Sequence, residues 1–210
     1  LGGENFAVLG NILLGKPQSP HLDIQMTLSN NRLQIPNWLS SAVSGTLYLK
    51  GTRKPYLLSG KLMISEALYK ENVDWQSQIL SFKRKQYLPK IRDTEKPLFA
   101  VDISLLAPKN VYVKNNLADI ESRADLILKG NSDRLILLGK IDLLSGIAFF
   151  KENQFKLNTG GITFDNPVEI DPKFHLDSET IIKNYKILLS IEGRLSQYKI
   201  HLASQPPLAE

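Results

Sequence analysis

The stretch SGTLYLKGTRKPYLLSGKLMI, Ser44 to Ile64, decides the reading of the fold. Gly45, Leu47 and Leu49 alternate with Ser44, Thr46, Tyr48 and Lys50, and after a turn Tyr56, Leu58, Gly60, Leu62 and Ile64 resume the pattern. A period of two sends successive side chains to opposite faces, so each half reads as a strand with one apolar and one wetted face. The same stretch returns at residues 123–143, at a constant offset of 79, with seven identities in 21 positions: Leu47/Leu126, Leu49/Leu128, Lys50/Lys129, Gly51/Gly130, Leu58/Leu137, Gly60/Gly139 and Lys61/Lys140. Asp23-Ile24 falls on Asp102-Ile103 at that offset, and Lys70-Glu71-Asn72 is echoed by Lys151-Glu152-Asn153 after a two-residue insertion. Strand hairpins repeated at a fixed period predict an elongated array in which each unit buries its apolar edge on the next.

The alternation extends well beyond the repeat. Leu22, Ile24, Met26 and Leu28 run up to Asn30-Asn31, which reads as a turn, before Leu33 and Ile35 continue. Phe99, Val101, Ile103 and Leu105 form another apolar register, as do Ile120, Ala124, Leu126 and Leu128, then Tyr185, Ile187, Leu189 and Ile191, and finally Tyr198, Ile200 and Leu202. One-sided strands belong to antiparallel sheet, because a parallel sheet covered on both faces reads as continuous apolar runs. The expected organisation is a single domain over 1–210: repeat copy one at about 20–72, a basic loop at 73–98, copy two at about 99–153, and terminal strands at 154–204. Within 73–98 the alternation stops at Lys83-Arg84-Lys85, Pro89 and Pro97. Trp75, Ile79 and Phe82 after Asp74 allow a short amphipathic helix there, with a solvated loop as the alternative.

Composition narrows the function. The chain has 210 residues, 26 Lys+Arg against 21 Asp+Glu for a net charge of +5, and no Cys, so zinc–thiolate sites, disulfides and cysteine nucleophiles are excluded. No run of apolar residues is long enough for a transmembrane helix. The opening Leu1-Gly2-Gly3-Glu4 has no initiator Met and no signal-peptide pattern, which points to a piece of a longer protein. His21, His175 and His201 have no metal-ligand spacing, and the carboxylate pairs Asp142/Glu152 and Asp165/Glu169 read as solvated groups, so no enzyme, metal or cofactor is expected. The glycines form no phosphate-binding motif. Lys83-Arg84-Lys85 lacks the interleaved aromatics of a nucleic-acid stacking platform, so an anionic membrane surface is the better match for the excess charge.

What remains is the apolar face. A closed sandwich would hide it against a second sheet, a transmembrane barrel would turn it to lipid, and an open curved sheet would present it as a trough.

Gly139-Lys140-Ile141-Asp142-Leu143-Leu144-Ser145-Gly146, the run Phe155 to Phe164, Pro172 to Thr180, Ile191-Glu192-Gly193-Arg194-Leu195 and the closing Ser204-Gln205-Pro206-Pro207-Leu208 together resemble the C-terminal domain of the TamB family. The resemblance is firmest from about residue 99 onward and reaches back to about 20 through the repeat. It implies an all-β fold, an elongated, curved antiparallel sheet (a β-taco or half-pipe) with an apolar inner groove, in an AsmA-like bridge-type lipid transfer protein. It also implies a periplasmic setting, within a protein anchored in the inner membrane and reaching the outer membrane of a Gram-negative bacterium. Phospholipids are the implied cargo, and TamA or another Omp85-class barrel is the implied partner. Unfolded outer-membrane proteins would be further partners of a module that assists barrel insertion, and nucleic acid is not among the partners. The segment that meets the barrel is expected beyond Leu208. The apolar registers supply the expected groove lining: Ile24, Met26, Leu47, Leu49, Leu62, Ile64, Ile103, Leu105, Leu126, Leu128, Ile141, Leu143, Ile187 and Leu189.

Overall fold

A computed structural model describes residues 5–14, 20–34, 39–72, 97–194 and 197–207. The chain folds into eleven strands: β1 (Asn5–Leu13), β2 (His21–Gln34), β3 (Leu39–Gly51), β4 (Tyr56–Tyr69), β5 (Phe99–Lys114), β6 (Ala118–Asn131), β7 (Leu135–Phe150), β8 (Asn153–Phe164), β9 (Lys173–Ile182), β10 (Tyr185–Arg194) and β11 (Gln197–Gln205). They form one sheet in chain order, and β1 and β11 do not meet, so it is neither a barrel nor a sandwich. Substantial contact joins sheet neighbours only, and among the described residues no second layer covers either face. The all-β, open, half-pipe-like expectation is thereby met. The postulated helix around Trp75 and most of the basic loop lie outside the described residues.

Register turns the sequence repeat into a structural one. Leu47 pairs with Gly60 across β3 and β4, and Leu126 pairs with Gly139 across β6 and β7. On the polar face Asp23 pairs with Lys50, their charged groups 3.1 Å apart, and Asp102 pairs with Lys129 at 3.9 Å. Both ion pairs sit at positions related by the 79-residue offset. Opposite charges placed directly across two strands favour one register over its neighbours. Copy one is therefore β2–β4 and copy two is β5–β7.

Two features depart from the expected antiparallel meander. First, β4 and β5 run parallel, Tyr56 beside Phe99 and Leu62 beside Leu105, so the chain leaves β4 at one end of the sheet and enters β5 at the other. A parallel neighbour requires a long return connection, and the interval between the two strands is the longest in the chain. Second, Asn30-Asn31 is not a turn. β2 continues through it as a bulge, with Leu28 facing Gly45 and Asn31 facing Val43. Asn30 takes the left-handed conformation (φ 53°) that asparagine tolerates, and its N–H donates to the Ser44 hydroxyl. Asn31 is buried, its side-chain oxygen accepting the Ser29 N–H.

Glycine matters most at the two equivalent positions Gly60 and Gly139, with φ of 151° and 115° in strand interiors. A Cβ at Gly60 would lie 2.1 Å from the Thr46 carbonyl oxygen, and one at Gly139 2.2 Å from that of Asp125. At Gly60 the side chain of the facing Leu47 also reaches that space, at 3.1 Å, and at Gly139 the backbone of Asp125 and Leu126 fills it. Such glycines let a strand bend sharply toward the face that lacks a side chain. Gly139→Val should destabilise the sheet by about 2–4 kcal/mol in urea unfolding, the range for a strained backbone with a steric clash, whereas Lys140→Val on the opposite face should cost under about 1 kcal/mol. Equal losses would show that the glycine is not required.

Candidate functional site

Residues paired across neighbouring strands share a face, so the register maps the apolar side of the sheet directly. One row runs Ile24, Leu49, Leu58 and Val101. The next runs Met26, Leu47, Gly60, Ile103, Leu128 and Leu137. A third runs Leu28, Gly45, Leu62, Leu105, Leu126, Gly139 and Phe164. Val43 and Ile64 continue the face beyond the β2 bulge, and Ala124, Ile141, Ile162 and Phe174 carry it toward the C-terminal strands, with Leu143 beside Ser122.

Twelve of the expected lining residues thus fall together on one face of β2–β7. Of these Ile103 is buried and the others are half-buried. Ile187 and Leu189 share the face but lie apart on β10, where Leu189 is 1% exposed within a packed cluster of Ala148, Phe155, Leu176 and Ile191. Sequence reasoning left Leu58, Val101 and Leu137 off the list although they sit in the same rows, and alternation alone could have added them. It had no signal for Ser122 and Ser178, which are buried in the apolar face with their hydroxyls donating to the carbonyls of Val111 and Leu189. A serine reads as a solvent-facing residue until its neighbours are known.

Among the described residues twelve apolar side chains are buried, and five of them are alanines. The leucines that make up most of the face are therefore left half in water, because one layer of sheet supplies no opposite wall.

The opposite face is mainly polar and held by ion pairs, although Met63 and Leu106 are exposed side by side on it. Asp142 accepts from Arg123 at 2.8 Å and lies 3.7 Å from Lys140. The Arg123 hydrogen bond is the main cause holding its carboxyl below the usual range, partly opposed by desolvation. Asp165 is held low by hydrogen bonds from Lys173 and Arg194, and Glu179 by those from Lys186 and Asn158. The carboxylates considered for acid–base work, Asp142 and Asp165, are thus salt-bridged in place. The three histidines lie on β2, β9 and β11, and no group of three or more metal-binding side chains occurs among the described residues.

An open sheet with one continuous apolar face and one ion-paired polar face defines an elongated groove or half-pipe protein. The family model for the TamB C-terminal domain matches residues 2–210, and the chain belongs to that family, whose members work with TamA in the translocation and assembly module of the Gram-negative envelope. No curated protein sequence matches the chain.

A lowered carboxylate pKa stabilises the folded state above the ordinary carboxylate range, and that contribution is lost as pH falls through it. Asp142→Asn should cost about 0.5–1 kcal/mol at pH 7, as exposed pairs do, and the difference from the unaltered protein should shrink once the pH is taken below the ordinary carboxylate range. Urea midpoints at the two pH values read this out, and a difference that persists in acid would assign the loss to packing.

Proposed function

We propose that the apolar face of β2–β7 holds phospholipid acyl chains, making this chain a non-enzymatic conduit segment for lipid movement between the inner and outer membranes of the periplasm. The observation that carries the reading is a continuous leucine-rich face on a sheet one layer thick, half-exposed along its length. Extended apolar surface of this kind marks a site for an apolar partner. An acyl chain of about sixteen carbons gains on the order of 10 kcal/mol on leaving water, before ordering costs, so no polar contact is needed for extraction. Headgroups project through the open side, and no cofactor takes part. TamA or another Omp85-class barrel is the membrane partner in this reading.

A second reading is favoured by β1. This edge strand exposes Phe6, Val8 and Ile12 on one face and Leu9 and Leu13 on the other, with no charge between Asn5 and Leu13. The far edge differs: β11 carries Lys199 and is followed by Pro206-Pro207, features that discourage strand addition. An unguarded edge suits pairing with an extended segment of an unfolded outer-membrane protein, as a module assisting barrel insertion would require.

Photo-crosslinkers at Leu126 and its outward neighbour Ile127 separate the faces. The acyl reading expects phospholipid adducts at Leu126 and none at Ile127, and equal labelling would sink it. Leu126→Arg should abolish phospholipid co-purification in native mass spectrometry while the far-ultraviolet circular dichroism of the sheet is retained. Adducts from β1 to barrel substrate without co-purifying lipid would instead support the protein-binding reading.

A further inference from the structure

We infer that the apolar face over β4–β6 is the docking surface for the chain's own connection between β4 and β5, residues 73–96, which crosses that face rather than the ion-paired one. The placement goes beyond the acyl reading and does not depend on it.

Handedness fixes the side. Tyr56, on the apolar face of β4, donates its N–H to the Leu98 carbonyl on the β5 side at 3.0 Å. Phe99, on the same face of β5, accepts the Ser132 N–H on the β6 side at 2.9 Å. In a strand of L-residues running upward, a residue whose side chain points at the viewer has its Cα hydrogen on the left and its N–H and C=O on the right. Seen from the apolar face with β4 and β5 upright, β5 therefore stands to the right of β4, and β6 to the right of β5. A connection between parallel strands of one sheet is right-handed in nearly every case. With the second strand on the right, a right-handed path returns in front of the sheet, which here is the apolar side.

Both ends of the connection are anchored beside β5. At the exit the Asn115 side-chain amide donates to the Glu71 carbonyl at 3.0 Å and the Asn116 N–H to the Asn72 side-chain oxygen at 3.2 Å, so the chain leaves β4 held against the β5–β6 turn. At the return the Leu98 N–H donates to the Ser132 hydroxyl at 3.1 Å. Between these points lies the length of β5, 16 residues or about 50 Å. The 24 residues of 73–96 reach about 80 Å when fully extended, enough for one crossing of the face.

The segment's composition matches an apolar floor. Trp75, Ile79, Phe82, Tyr87 and Leu88 fall within it. Under the crossing lie Leu58 and Val101 in one row and Leu62, Leu105 and Leu126 in another, all half-buried. Contact between the two sets removes apolar surface from water on both sides. The left-handed route would set the same side chains over Lys61, Asp102 and Asp125, with the exposed pair Met63 and Leu106 among them.

The chain has no cysteine, so paired substitutions report the side directly. In the full chain, Trp75→Cys, Ile79→Cys or Phe82→Cys is combined with Leu105→Cys on the apolar face or with Leu106→Cys on the other, and disulfide formation under mild oxidation is followed by non-reducing electrophoresis. Disulfides are expected with Leu105→Cys and not with Leu106→Cys. Val101→Cys against Ala100→Cys makes the same comparison if the Leu105 variant does not fold. Disulfides on the polar face that equal or exceed those on the apolar face would overturn the placement, and so would their absence from both faces. No lipid enters this readout, so its failure leaves the acyl reading standing, and equal lipid labelling at Leu126 and Ile127 leaves the placement standing.

Discussion

Each inner strand of this sheet is held by its two neighbours and each edge strand by one, and among the described residues no second layer backs either face. Backbone ladders and side-chain rows within one layer must therefore supply the stability that a globular domain takes from a three-dimensional core. Such an arrangement leaves every apolar side chain of the face with floor and flanks but no roof. Burial is then a matter of which cross-strand neighbours are large enough to lean over a residue. Where they are, as around Phe155 and Leu189, a small core forms. Where they are not, the face stays available.

The polar side does a different task. Exposed ion pairs such as Asp23–Lys50 and Asp102–Lys129 contribute little to stability, about 0–1 kcal/mol each. Their place directly across paired strands makes them register devices. A one-residue slip would carry every leucine of a strand to the wrong face, and it would also bring charges out of alignment. The recurrence of the pair at equivalent positions in both copies shows the repeat acting on both sides of the sheet.

Most of the architecture was legible because the sheet is one layer thick. With one face wet and the other apolar, alternation stays clean along each strand, and the 79-residue offset marks equivalent strands. The groups that escaped notice share a cause: they depend on neighbours across the sheet. Periodicity is blind to strand direction, so the parallel pairing of β4 and β5 left no trace in it. Asn30-Asn31 has turn composition, but the same left-handed tolerance serves a bulge inside a continuing strand. Leu189 and Leu126 look alike in sequence. They differ because Ser178 lets Phe155 reach the former, a relation that exists only once β8, β9 and β10 are in register.

The parallel junction has a consequence for symmetry. Each copy contains three strands, an odd number, and a simple antiparallel meander would set the second copy upside down relative to the first. One parallel step between β4 and β5 restores the direction. Leu47–Gly60 and Leu126–Gly139 therefore keep the same strand ends on the same side, displaced by three strand spacings, about 14 Å, across the sheet and by one register row along it. An object moving across the face meets the same floor again in the same orientation, as on a track whose sleepers are evenly laid. A surface that repeats by translation has no preferred stopping point of its own, and only a break in the pattern can supply one.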